Sequence, residues 1–217
     1  MPRLVLVRHG RAAVSSGEDR DPPLSDEGQA QAEAMALALA PLGTLAVLTS
    51  PLRRTRETAA ALERRFGVEA RIEPAVAEVP SAVPSGGPSP PGALRSATTS
   101  PSPAPADAPA RPFGTAGPTS AAWRAPFLSD LLSRRWEEVD PFLLRWRDGV
   151  LSTLAALETD TAVVTHFVAI NVAVGRATGD GRVACCQPDY CSRTAIDIDG
   201  GRWSLVERGA EAPSAVG

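Results

Sequence analysis

Short apolar, β-branched runs alternate along this chain with longer stretches whose apolar residues recur at helical spacing. Leu4 to Arg8, Leu45 to Thr49, Glu69 to Ile72 and Ala162 to Thr165 read as strands, and much of the chain between them as helix. That alternation predicts a largely parallel sheet in an α/β fold. Two more strands, Arg193 to Ile198 and Trp203 to Val206, are expected to be joined by a turn at Gly200-Gly201. The first helix starts after Ser25, an N-cap candidate with Asp26 and Glu27 near the positive end of the dipole, and runs to about Ala40 before Pro41. A second covers about Leu52 to Phe66 and stops at Gly67. Another takes Asp140 as N-cap and Pro141 as its first residue, with Leu143, Trp146, Val150, Leu154 and Leu157 forming an apolar stripe read as core.

The periodicity stops between Val79 and Ala122. This segment holds 11 of the chain's 21 prolines among many Ser, Ala and Gly, and only Arg95, Asp107 and Arg111 carry charge. Such a composition cannot bury enough apolar surface to offset its ordering entropy. With 217 residues, 43% of them hydrophobic, the rest suffices for one sizeable core. The expected organisation is a single domain over 1–217 with a flexible Pro/Ser/Ala-rich insertion at about 79–122.

Charge and residue usage exclude several function classes. A formal charge of −3 and a pI near 5.5 argue against an extended nucleic-acid surface, which needs a basic stripe. All 22 basic residues are arginine, so no lysine can form a Schiff base or serve a nucleotide-binding P-loop. No apolar stretch reaches the roughly 18 residues of a membrane span, and Met1-Pro2-Arg3 runs directly into a strand without a signal peptide's apolar region. A cytoplasmic protein without a membrane partner is the expectation. Cys185, Cys186 and Cys191 lack a second pair or nearby histidine to complete a metal site, and read as reduced thiols packed around a strand.

The chain's two histidines both fall at predicted strand ends. His9 follows the first strand in Arg8-His9-Gly10, where glycine permits a sharp turn, and His166 ends Ala162-Val163-Val164-Thr165-His166. Ser50-Pro51-Leu52-Arg53-Arg54 begins directly after the second strand and places arginines on the first turn of a helix at the same sheet edge. Ligands bind at that edge of open α/β sheets, and a helix N-terminus attracts anions. Two histidines, arginines and a helix start thus converge on what reads as a phosphate pocket. Arg53 and Arg56 read as solvated helix residues, and Arg134-Arg135 with Arg145 and Arg147, flanking Trp136, as a solvated face.

In these residues the chain resembles the histidine phosphatase superfamily, the phosphoglycerate mutase-like fold. The resemblance rests on Arg8-His9-Gly10, on Leu24-Ser25-x-x-Gly28-x-x-Gln31-Ala32, on Ser50-Pro51-Leu52-x-Arg54 with Thr58-Ala59, and on His166 after an apolar strand. It implies a three-layer α/β/α sandwich with a mostly parallel sheet. It also implies that His9 is the nucleophile, that Arg8, Arg54 and His166 bind the phosphoryl group, and that a carboxylate after the third strand is the proton donor. Glu78 in Ala77-Glu78-Val79 stands where the family keeps that acid, with Glu73 as the alternative. Ser15 replaces the asparagine many relatives carry six residues after the histidine and is a further expected phosphate contact; Phe167-Val168 replaces the family's glycine pair after the second histidine.

Elementary chemistry supports those roles. Neutral imidazole is a good nucleophile toward phosphorus, and a phosphohistidine divides one difficult displacement into two easier ones. Permanently charged, bidentate guanidinium groups on Arg8 and Arg54 suit the equatorial oxygens, with His166 as a charged donor and the Phe167 N–H at a helix start as another. No metal or cofactor is required. The expected activity is hydrolysis of a small phosphorylated metabolite or other phosphomonoester. A phosphoglycerate mutase and a non-catalytic phospho-ligand binding module are the alternatives.

Overall fold

The structure, a computed structural model, describes residues 2–14, 19, 21–80 and 121–212. Strands β1 (Arg3–Arg8), β2 (Ala46–Thr49), β3 (Arg71–Ile72), β4 (Thr161–Thr165), β5 (Arg193–Asp199) and β6 (Arg202–Glu207) form one sheet in the order β3-β2-β4-β1-β5-β6. The first four in that order run parallel, and β5 is antiparallel to both its neighbours. The sheet is therefore mostly parallel, as the sequence pattern predicts. Gly200 and Gly201, at φ 53° and 85°, make the two-residue hairpin between β5 and β6, where both central residues need positive φ.

Side-chain alternation along the strands builds a core on each face of the sheet. Leu4, Leu6, Leu48, Val163 and Ile196 face α4 (Pro141–Ala155) and α5 (Phe167–Thr178), joined by Leu131 of α3 (Ala121–Ser133). Val5, Val7, Val47, Ala162 and Val164 face α1 (Asp26–Leu39) and α2 (Arg53–Phe66), packing on Met35, Leu39, Ala59 and Leu62. Every residue of β4 is buried, as befits a central parallel strand covered on both sides. The result is a three-layer α/β/α sandwich.

Local chemistry fixes the helix ends. The Ser25 hydroxyl accepts from the Gly28 N–H at 3.0 Å, Asp140 accepts from Phe142 at 2.7 Å with Pro141 as first residue, and Gly67 ends α2 in the left-handed conformation at φ 67°. Among the described residues, no helix is long and apolar enough to cross a membrane.

Several elements differ from expectation. β3 keeps only Arg71 and Ile72, both exposed at the sheet edge, so burial does not hold Glu69 and Ala70 in the strand. The helix α3 was not anticipated, and Leu157 lies beyond the end of α4 while Trp146 is only partly buried. The three cysteines are free thiols, but they do not surround one strand: Cys185 and Cys186 pack with the α4/α5 core and Cys191 with the α1/α2 core. Of the proposed insertion, all but its ends lies outside the described residues.

The topology places the chemistry. After β1 the chain enters α1 on one face of the sheet, and after the adjacent β4 it enters α5 on the other. Neighbouring strands whose helices depart to opposite faces leave a crevice between their carboxyl ends. His9 follows β1 and His166 follows β4.

Candidate active site

His9 is buried at the mouth of that crevice. Its backbone N–H donates to the Thr165 carbonyl at 3.0 Å, tying it to the end of β4. Its Nδ1 lies 2.8 Å from the Gly10 carbonyl, which can only accept, so Nδ1 carries the ring proton and Nε2 presents a lone pair. Arg54 Nε donates to that Nε2 at 3.2 Å. Burial, then the nearby Arg54 and Arg8 charges, lower the imidazole pKa to about 3 against the weaker opposing pull of the Gly10 carbonyl, so the ring is neutral at ordinary pH.

The motif residues that do not line the crevice hold His9's loop. The hydroxyl of Thr58 accepts the Gly10 N–H at 3.0 Å and donates to the Arg54 carbonyl at 2.7 Å, coupling the loop to α2. At the next residue, Arg11 N–H donates to the Gln31 side chain at 2.9 Å, and its carbonyl accepts from Ser25 N–H at 2.9 Å. A Cβ on Gly28 would sit 2.1 Å from that carbonyl oxygen, and one on Gly10 would sit 2.5 Å from the Gly28 oxygen. Both glycines are required by this close crossing of the His9 loop and the start of α1.

Arg54, on the first turn of α2, is 2% exposed, and His166 is wholly buried. Arg54 Nη2 lies 3.4 Å from His166 Nδ1 and 3.6 Å from Glu78 Oε2, while His166 Nδ1 is 3.5 Å from the same carboxylate oxygen. Ser50 Oγ, 2.8 Å from His166 Nε2, fixes the other side of the ring. The segment carrying Glu78 is anchored by Thr165 Oγ1, which donates to the Val76 carbonyl at 2.6 Å. Glu73 does something else: its carboxylate accepts from the Ala75 N–H at 3.1 Å and caps the short 3₁₀ turn Pro74–Val76. The two histidine rings meet edge to face with centroids 5.2 Å apart.

Arg8 is gripped by the loop before β5. Its Nη1 donates to the Pro188 carbonyl at 2.9 Å, and its guanidinium carbon lies 4.1 Å from the centre of the Tyr190 ring and 5.5 Å from that of Phe167. Arg8's backbone is bound as well, with its carbonyl accepting from Cys191 N–H at 3.0 Å. Cys191 adopts φ 53°, the one non-glycine positive φ among the described residues, and this turn sends the Tyr190 ring toward the site. Burial pulls the Arg8 pKa down, yet guanidinium retains its charge.

A cleft of about 340 Å³ is lined by Arg8, His9, Arg54, Glu78, Phe167 and Tyr190, with Tyr190 beside Arg8 and His9, and also by Arg11, Ala12, Ala13, Val14, Pro22, Leu128, Leu132 and Val168. Of the residues singled out from sequence, His9, Arg8, Arg54, His166, Glu78 and Phe167 come together; Ser15 lies outside the described residues. Arg53 is paired with Glu57, Arg134 with Asp130 and Arg135 with Glu137, all away from the cleft. Sequence reasoning passed over the Ser50 bond to His166, the Pro188 carbonyl, Tyr190 and the two α3 leucines. Ser50 carried a signal, since it opens the run directly after β2; Tyr190, the chain's only tyrosine, carried none beyond its rarity.

Three comparisons with known proteins agree with this architecture. The family model described as histidine phosphatase superfamily (branch 1) matches residues 4–85, a span that includes every site residue up to Glu78. A glucosyl-3-phosphoglycerate phosphatase of Mycolicibacterium vanbaalenii is 40% identical over 75 residues, which is 33% of this chain and 33% of that protein, so the chain matches about a third of its relative's length. Among solved structures, a mycobacterial glucosyl-3-phosphoglycerate phosphatase bound to inorganic phosphate superposes with TM-score 0.63 at 19% identity, covering 97% of this chain and 98% of that one. An Escherichia coli protein described as a putative alpha-ribazole-5'-P phosphatase gives TM-score 0.65 at 18% identity over 99% and 100% of the two chains. The chain thus matches the histidine phosphatase superfamily model in sequence over residues 4–85 and shares the fold of these solved structures over nearly its whole length.

Proposed function

We propose that this protein is a phosphomonoesterase that works through a phosphohistidine on His9, with no metal in the reaction. The observation that carries the reading is the state of His9: a neutral imidazole with Nδ1–H given to the Gly10 carbonyl and an Nε2 lone pair aimed where Arg54 and Arg8 concentrate positive charge. An ester phosphate entering the cleft takes over the Arg54 donors, and Arg8, Arg54, His166 and the Phe167 N–H at the start of α5 hold its oxygens. The Nε2 lone pair then forms the N–P bond as the ester P–O bond breaks. Glu78 gives its proton to the departing oxygen. In the second half, water attacks phosphorus, Glu78 takes the water's proton, and the N–P electron pair returns to Nε2. Two buried guanidinium groups and a histidine supply the charge that a metal supplies elsewhere, so each step balances without one. The substrate in this reading is a small phosphorylated metabolite or other phosphomonoester, and the chain works as a single domain.

The test is turnover of an aryl phosphate in EDTA. The parent is expected to retain full activity, His9→Ala to lose about a thousandfold or more, and acid-quenched parent to carry phosphate on histidine. Glu78→Gln should slow esters with poor leaving groups most, and Glu73→Gln should behave as parent. Unchanged turnover in His9→Ala overturns the mechanism.

A further inference from the structure

The cleft changes character along its length. Its floor is cationic, whereas the walls leading outward are apolar and come from three separate parts of the chain: Val14 beyond β1, Leu128 and Leu132 on one face of α3, and Val168 in the first turn of α5. Leu128 and Leu132 are half-buried, resting on the α4/α5 core while also facing the cleft, and Val14 is 41% exposed. Resting on the phosphomonoesterase reading above, we infer that the site selects esters of uncharged, apolar alcohols over esters carrying a second anionic group.

Two features exclude the second anion. Beyond the cations of the phosphate end, Arg11 is the basic side chain of the described cleft wall, and its guanidinium is already engaged with the Glu27 carboxylate at 2.9 Å. Leu128, Leu132, Val14 and Val168 offer no hydrogen bond, so among the described cleft residues a carboxylate or second phosphate on the leaving group meets apolar walls and loses hydration with no unengaged cation to replace it. An alkyl or aryl group gains instead, at about fourfold in affinity for each methylene removed from water. Selection of this kind follows from wall chemistry, whereas the phosphate end treats all monoesters alike.

Alkylphosphonates test this independently of turnover, because their P–C bond offers no ester to cleave. Methyl-, butyl- and octylphosphonate, together with 2-carboxyethylphosphonate, are titrated calorimetrically into the full chain, and hydrolysis of methyl and butyl phosphate is followed in parallel. Affinity is expected to rise at least tenfold from methyl to butyl, with carboxyethyl no tighter than methyl. The rise should flatten in the Leu128→Asp/Leu132→Asp double variant and, as a separate check at an exposed position, in Val14→Asp. A flat series in the parent, tighter binding of the carboxyethyl compound, or a rise that survives Val14→Asp together with the folded double variant overturns the inference. Length-dependent phosphonate binding with no ester hydrolysis overturns the phosphomonoesterase reading but keeps the apolar site. Ester hydrolysis without length dependence does the reverse.

Discussion

At the scale of the residue, His9 is held in the protonation state that its proposed chemistry needs, and that arrangement has a thermodynamic signature. Its folded-state pKa of about 3 lies below the ordinary value of 6.5, so between those limits the unfolded chain binds a proton that the folded chain refuses. The contribution to stability is complete above about pH 6.5 and is lost as pH falls toward 3, at up to about 1.4 kcal/mol per pH unit. Replacing His9 with Gln removes the titration. Urea unfolding at pH 7 and pH 5 should show the parent losing about 1–2 kcal/mol more than His9→Gln over that interval; parallel losses would mean that burial and the two arginines do not hold the ring neutral. Arg8, His9 and His166 stand at strand ends and Arg54 on the first turn of the helix after β2, so residue type and position both speak for them, whereas Glu78, beyond β3 and the Pro74–Val76 turn, is singled out over Glu73 by the family resemblance. Tyr190 was not legible from sequence. Its place over Arg8 depends on a loop 180 residues away, on the Pro188 carbonyl and on the unusual backbone of Cys191, none of which periodicity or composition encodes.

The elements explain why motif residues that touch no ligand nevertheless belong with the site. The start of α1 crosses the His9 loop so closely that Gly28 has no room for a methyl group, and Ser25 both caps the helix and receives the loop, its N–H donating to Arg11. These two roles separate experimentally. Ser25→Ala removes a cap and should cost about 1 kcal/mol, with a modest effect on turnover. Gly28→Ala forces the Arg11 backbone away and should cost about 3 kcal/mol while displacing His9, so that activity falls well beyond the loss of folded protein. Denaturant midpoints and specific activity per folded molecule check both; a fully active Gly28→Ala would show that the crossing does not position the nucleophile. Strand and helix assignments held wherever the apolar pattern was long or a cap marked an end, as at Ser25, Gly67 and Asp140. They failed where burial is one-sided or the pattern is broken. β3 is an exposed edge, so two residues suffice, and α3 contains Pro126 and directly follows a proline-rich stretch whose composition masks the helix.

For the whole molecule, the question is whether the two helical layers and the sheet between them stand or fall together, since the site draws on both. Arg54 rides on α2 in one layer, His166 leads into α5 in the other, and the sheet edge brings them within 3.4 Å. The described tryptophans Trp136, Trp146 and Trp203 all belong to the α4/α5 side, so with the chain's fourth tryptophan replaced, in a Trp123→Phe background, fluorescence watches one layer while far-UV circular dichroism watches every element. Leu62, fully buried on α2, belongs to the opposite core. Leu62→Ala should lower stability by about 2–5 kcal/mol, the cost of a core cavity. If the chain folds as a single cooperative domain, the fluorescence midpoint moves as far as the dichroism midpoint, although no described tryptophan touches the mutated core. A fluorescence transition that stays with the parent while dichroism shifts would mean that the α1/α2 layer unravels on its own. Arg54 would then leave the site before the sheet melts, and phosphate binding would disappear at the earlier transition. Coincident transitions instead make the five-residue constellation a property of the entire sandwich, because β4 carries buried side chains of both cores and ends at His166.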